Sequence, residues 1–358
     1  MPFKLQRREE HSAWMALFSP LIAVALMLAT GAVLFASLGI DPVKGLSVYF
    51  LEPLQSAWSL QELVVKATPL ILIGIGLSIC YRANIWNIGA EGQFVAGALA
   101  GSYFPIMMVG WEGPFVFPAM IAAGMAGGAL FALIPAALKI RFGANEILTS
   151  LLLVYVAQFF LDWLVRGPWR DPEGFNFPES RLFPSDAVTP LIIEGGRMHI
   201  GFPIALIIAL LAAFYLTRTI HGFQIQVIGE SPRAARFAGF SQSKMIIFAF
   251  AVSGALAGLA GILEVAGPIG QLRPTISPGY GFTAIIVAFL GRLNPIGIVI
   301  AGFVLALSYL GGEAAQVTLG ISDKIARVFQ GLLLFYVLAC DTFIVYTFRR
   351  VGVAREAS

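Results

Sequence analysis

Charge is what this chain has least of: 12% of its 358 residues are Asp, Glu, Lys or Arg, against 58% hydrophobic residues and a mean hydropathy of +0.84. So little polar surface cannot clothe a soluble domain, and that class is excluded. Cysteine and histidine are rarer still. Cys80 and Cys340 both fall in apolar runs, and His11, His199 and His221 are scattered, which leaves neither a disulfide framework nor a metal site. None of the six lysines follows a glycine, so the G-x-x-x-x-G-K-[ST] phosphate cradle is missing, as are H-E-x-x-H and G-x-S-x-G. The chain has no motif for hydrolysing a nucleotide, implies no cofactor and is not expected to be an enzyme. Its net charge of +3 bears on membrane orientation, not on nucleic acid, which is not an expected partner.

What the chain has in abundance is apolar length. Crossing a ~30 Å hydrocarbon core takes about 20 helical residues, and such runs recur from Ala16 to Phe343. The pattern predicts an all-α, polytopic transmembrane bundle of about ten segments: 16–38, 63–81, 88–109, 115–138, 147–165, 201–217, 245–266, 278–291, 295–311 and 325–347. The eighth is short and with the ninth reads as either two crossings or a re-entrant pair. The run from Ala16 to Leu38 is too long for a signal-peptide core and reads as a retained first span.

Starting inside, this layout puts 14 of the 23 Lys and Arg on the cytoplasmic side, from Lys4, Arg7 and Arg8 to Arg349, Arg350 and Arg355. The expected organisation is one membrane domain over 1–358. It has a cytoplasmic N-terminus (1–15), an outer loop (166–200), a cytoplasmic loop (218–244) and a cytoplasmic tail (348–358). The expected location is a bacterial inner membrane. The outer loop, with Trp169 and with Pro168, Pro172, Pro178 and Pro184 among its prolines, reads as an ordered cap.

An internal repeat is expected on the same layout. Arg82-Ala83-Asn84 matches Arg292-Leu293-Asn294 at an offset of 210, and Lys139-Ile140-Arg141 falls on Arg349-Arg350-Val351. Both halves run the same way, so the repeat is parallel. Gly97-x-x-x-Gly101, Gly124-x-x-x-Gly128 and Gly254-x-x-x-Gly258 with Gly261 are spaced for close helix contact. They serve either the chain's own helices or an interface with a second membrane subunit.

Asn84, Asn87, Glu91 and Gln93 crowd the entry to the third span. They read both as capping groups, with Asn87 at the helix start and Glu91 in its first turn, and as the lining of a translocation path. Glu146, Asp162, Glu264, Arg327 and Asp341 sit toward span ends, where snorkelling explains most such residues. Glu264, with Gln271 and Arg273 beyond it, is the candidate for the outer mouth of the path.

The stretch from Val227 to Phe240 predicts one short helix, with Ser231 capping, Pro232 in the first turn and Gly239 ending it in the left-handed conformation. Gly229, Glu230, Ser231, Pro232, Arg233, Ala234, Ala235, Arg236, Phe237 and Gly239 form a basic, partly aromatic knob. It suits either a groove in another protein or lipid headgroups.

Three stretches together resemble one family. Arg82-Ala83-Asn84-Ile85-Trp86-Asn87-Ile88-Gly89-Ala90-Glu91-Gly92-Gln93, Gly143-Ala144-Asn145-Glu146-Ile147-Leu148 and Gly229-x-x-Pro232-x-Ala234-Ala235-x-x-Ala238-Gly239 are similar to the permeases of ATP-binding-cassette importers of the branched-chain amino acid, ribose and simple-sugar type, nucleoside and simple-sugar branch. Ser231 stands where the family usually has Asn, and Arg233 where the wider pattern has Glu. The resemblance implies that 229–240 is a coupling helix seated in a cytoplasmic ATPase. It implies three partners: that ATPase, a second and paralogous permease chain, and an extracytoplasmic solute-binding protein. The expected function is inward passage of a nucleoside or related simple sugar by alternating access. The competing classes are an ion-coupled secondary carrier acting alone and a non-transporting scaffold.

Overall fold

The computed structural model describes residues 3–7, 13–108, 110–111, 113–322 and 324–350. In chain order the elements are β1 (Phe3–Arg7), α1 (Ala13–Ser37), α2 (Pro42–Phe50), α3 (Ala57–Arg82), α4 (Ala90–Met107), α5 (Val116–Phe142), α6 (Glu146–Arg166), α7 (Gly201–Arg218), α8 (Ile220–Glu230), α9 (Pro232–Phe237), α10 (Gln242–Glu264), α11 (Tyr280–Leu290), α12 (Pro295–Leu319), α13 (Lys324–Val345) and β2 (Tyr346–Arg350). A π-turn, Val265–Ile269, follows α10 directly. Each apolar stretch expected to cross a membrane lies on a helix. Among the described residues six are long and apolar enough to do so: α3, α5, α6, α7, α10 with its π-turn, and α12. At 11 residues, α11 is about 16 Å long, half a hydrocarbon core.

The chain divides into two compact units, Met1–Pro53 with Gly311–Ser358, and Leu54–Leu310. In the first, Tyr49 stacks on Phe329 at 4.5 Å with Phe35 edge-on, and Thr30 meets the Tyr336 hydroxyl at 2.6 Å. Beside the helices of this otherwise all-α chain, β1 and β2 pair antiparallel, Phe3 opposite Arg350 and Arg7 opposite Tyr346. Chain ends that run side by side satisfy their backbone groups by pairing. Arg8, His11, Arg355 and the tail from Val351 lie outside the described residues.

In the second unit the glycine motifs close on one another. A Cβ on Gly97 would land on the Cα of Gly258, and a Cβ on Gly128 on the carbonyl of Gly254. One on Gly261 would strike the carbonyl of Phe94. Helices α4, α5 and α10 therefore touch backbone to backbone, and these glycines are spent inside the chain. The layer they form buries Phe94, Met120 and Phe250 completely, and α3 packs on α10 with Gly76 against Ser253.

The loop 166–200 is ordered, clipped along the π-turn and the segment after it. Thr189 donates to Ala266 (2.8 Å), Phe183 to Gly270 (2.9 Å) and Ser180 to Leu272 (3.0 Å), all through backbone N–H groups. Arg197 ties the loop to Glu62 of α3. His199, 3% exposed, accepts the Gly201 N–H on Nδ1 at 3.1 Å, and burial, aided by the Arg197 charge, pushes its imidazole down to about 4. Above pH 6.5 the ring is neutral whether the loop is folded or open. Below 6.5 the open form gains a proton that the folded form resists, so stability falls as pH drops toward 4, by about 3 kcal/mol in full. Protection factors over 189–201, taken relative to intrinsic exchange at each pH, are expected to fall between pH 6.5 and 4.5. Unchanged protection across that range would refute the assignment.

Candidate coupling surface and solute cavity

The loop 218–244 contains two helices where one was expected. Val227 to Glu230 end α8, which Thr219 starts by accepting the Gly222 N–H on its hydroxyl at 3.1 Å. Ser231 is the joint, and α9 follows with Pro232 in its first turn. The hydroxyl of Ser231 makes no cap hydrogen bond, which corrects the expectation. Its backbone carbonyl takes the Ala235 N–H at 3.0 Å instead. The far end is as expected: Gly239 has φ +78, Phe240 donates to Ala235 (2.9 Å) and Gly239 to Arg236 (3.1 Å), a complete Schellman pair.

This ending sorts the knob into two sides. Ala235 is buried and Phe240 half-buried, whereas Arg233 and Arg236 are exposed and Phe237 is 94% exposed. Among the described residues no carboxylate pairs with either arginine. Glu230 is exposed and accepts from Gln226 at 2.8 Å. At Gly229 a Cβ would overlap the carbonyl oxygen of Arg82, so α8 rests directly on the last turn of α3. Arg82 in turn donates through Nε to the carbonyl of Leu293 at 2.9 Å, joining the ends of α3 and α11.

Both of those helices end in the same way. Asn84 (φ 55) and Arg292 (φ 54) are left-handed, with Ile85 donating to Cys80 (2.9 Å) and Leu293 to Ala288 (2.8 Å). These two ends lie 208 residues apart, whereas the Arg-x-Asn stretches lie 210 apart. Arg349 and Arg350, matched to Lys139 and Ile140, lie on β2 beyond the end of α13, and Val351 lies outside the described residues.

The polar group after Arg82 separates. Asn84 is exposed and accepts from Trp86 Nε1 at 3.0 Å. Asn87 and Gln93, 0% and 1% exposed, bond to each other twice (2.9 and 3.0 Å), and Asn87 also donates to Ser253 of α10 at 3.1 Å. Asn87 does not cap α4 as expected. Gly89 occupies the cap position, and the side-chain Oδ1 of Asn87 takes the Gly89 N–H at 3.0 Å. The sharp entry of the chain moved the helix start two residues on.

Glu91, 2% exposed, reaches across to α11 and accepts the Gly281 N–H at 2.6 Å, with Ser277 as a second partner. Ser277 itself takes the N–H groups of Gly279 and Tyr280, both at 3.0 Å. Glu264, 9% exposed, hydrogen-bonds Tyr280, and Lys66, Glu62 and Arg197 are its charged neighbours. Two buried carboxylates from α4 and α10 thus hold the start of α11, where the helix dipole favours them. Beside Glu91 lies a cavity of about 360 Å³, walled by α4, by Gln158, Phe159 and Asp162 of α6, and by Pro274 to Ser277. Gln158 escaped notice in the sequence because one amide in an apolar run carries no pattern. Only its place four residues before Asp162, on the cavity side, marks it.

Residues 59–338 match the family model for the permease component of branched-chain amino acid transport systems. The chain is 38% identical over 362 residues to a glucose ABC transporter permease protein of Haloferax volcanii, covering 98% of this chain and 94% of that one. It is 28% identical over 328 residues to a guanosine ABC transporter permease protein of Bacillus subtilis (90% and 92% covered). A nucleoside ABC transporter permease protein of Lactococcus lactis is 27% identical over 326 residues (89% and 89%). Helices long enough to cross a membrane, a protruding basic knob and this kinship together place the chain in the branched-chain amino acid transport permease family, as an ABC importer permease.

Proposed function

We propose that this chain passes a nucleoside or related simple sugar inward across a cytoplasmic membrane by alternating access, driven by a separate ATPase that grips α9. The observation that carries this reading is the free face of Arg233, Arg236 and Phe237, on a helix pair whose other side bears on Arg82 through Gly229. Displacement of α9 would reach the end of α11 through the Arg82–Leu293 hydrogen bond, and α11 begins at the cavity wall. Energy applied at one end of a rigid helix can then alter the site at its other end. The reading includes about ten membrane segments with both termini cytoplasmic, two similarly oriented halves, a second paralogous permease chain and an extracytoplasmic binding protein. Asn84, Asn87, Glu91, Gln93 and Glu264 remain its path residues, with Glu91 the one that touches the cavity.

Uptake of labelled guanosine or D-glucose is to be measured in vesicles holding the chain with and without its co-purified ATPase. Accumulation that requires both the ATPase and ATP supports the reading. Accumulation on an ion gradient alone would favour a secondary carrier, and no change in uptake of any solute on removing the chain would favour a scaffold.

A further inference from the structure

We propose that the cavity beside Glu91 is a subsite for a neutral, hydroxyl-rich ring and that it excludes anionic solutes. This deepens the importer reading and rests on it.

The first wall is α6. Gln158 and Asp162, four residues apart, put an amide and a carboxylate on one side of a helix otherwise apolar enough to cross a membrane. Such groups are costly against hydrocarbon and face water, protein or ligand. The opposite wall, Pro274 to Ser277, belongs to the non-helical stretch between the π-turn and α11. Irregular backbone at membrane depth is tolerated where it is buried in protein or lines a cavity.

Charge decides what the cavity can take. Its wall holds two carboxylates, Glu91 and Asp162, and no Lys or Arg. Arg166 pairs with Asp162 at 2.8 Å from one turn further on and is not part of the wall. The start of α11, which could otherwise receive an anion, already gives its N–H groups to Glu91 and Ser277. A phosphate or carboxylate would find no cation in the wall and these donors taken. A sugar or nucleoside meets acceptors on Asp162 and Gln158, donors on the Gln158 amide and the Thr275 hydroxyl, and the ring of Phe159, 72% exposed, for its apolar face. The volume of about 360 Å³ falls within the range of small-molecule sites.

The test places a single reactive thiol in the wall, as Gln158→Cys or Asp162→Cys, in the assembled transporter; the native Cys80 and Cys340 are buried. Labelling by a membrane-impermeant methanethiosulfonate is followed with D-glucose, guanosine or D-glucose 6-phosphate present. Well above its Kd, D-glucose or guanosine is expected to slow labelling at both positions by about an order of magnitude, with D-glucose 6-phosphate having no effect. Leu152→Cys, on the same helix and 63% exposed, should be indifferent to all three. Equal protection by the phosphorylated sugar, labelling that no neutral solute slows, or no labelling at either cysteine would each overturn the proposal. Import is measured on the same vesicles, so lost import counts against the importer reading and unprotected labelling against the subsite alone. Should a cysteine variant fail to assemble, binding of labelled D-glucose and guanosine to the wild-type complex serves instead. It should weaken several-fold in Gln158→Ala and stay unchanged in Leu152→Ala, and equal affinity in the two would overturn the proposal equally.

Discussion

ATP-driven uptake by the double variant Arg233→Glu/Arg236→Glu is expected to fall to the level of vesicles lacking the ATPase, while insertion and thermal stability stay at wild-type values. The two expectations follow from different sides of one helix. Arg233 and Arg236 are exposed and paired with no carboxylate among the described residues, so reversing them removes no internal contact. Surface changes of this kind usually stay within about 0.5 kcal/mol. The anchors of α9 are untouched: Ala235 stays buried, and the closing bonds from Gly239 and Phe240 are backbone. Toward an acidic groove the change is large. Two favourable charges become two repulsive ones, and like-charge juxtaposition at an interface costs several kcal/mol, enough to reduce binding by two or more orders of magnitude. Co-purification of the ATPase should be lost with uptake. Normal uptake by this variant would refute the coupling assignment.

The second large effect is on folding. Gly258→Ala is expected to cost more than the ~1–3 kcal/mol of ordinary core overpacking, because what its methyl group meets is backbone: the carbonyl of Gly124, with the Cα of Gly128 at 3.0 Å. No side chain there can rotate away. Two helices, α5 and α10, would have to part, and a total stability of about 5–15 kcal/mol leaves little margin. Gly331→Ala is the control, since nothing lies within 4 Å of its added carbon. In detergent, the melting temperature should drop steeply for the first and stay level or rise for the second. Equal melting would mean that α5 and α10 are not in backbone contact.

Much of this was legible in the chain. The apolar runs announced the helices, because nothing but helix lets twenty apolar residues satisfy their own backbone in hydrocarbon. Gly124, Gly128, Gly254 and Gly258 announced close packing by their spacing, although spacing could not say which helix each would meet. Gly239 was readable as a left-handed terminator since few other residues take that conformation without cost. Other features hid. Helix α8 mixes His221, Gln224, Gln226 and Glu230 among apolar residues and reads as loop. Ser231 had the right side chain, yet the preceding helix ran up to it and gave its backbone the work. Asn87 is drawn away from α4 by Gln93 and Ser253, and Ser253 is 166 residues distant. Glu91 holds α11 across 190 residues. Local pattern cannot carry partners that only tertiary structure brings together.

The π-turn at Val265–Ile269 gives this architecture a discrete adjustment. Such a turn holds one residue more than the α-helical turn it replaces. Were that surplus residue drawn into regular helix, the chain beyond it would rotate by about 100° and advance by about 1.5 Å, while the glycine-locked part of α10 before it stayed still. Pro274 to Ser277 lie just beyond, so one quantised click of register would exchange the atoms that this segment shows to a solute, without any helix having to slide.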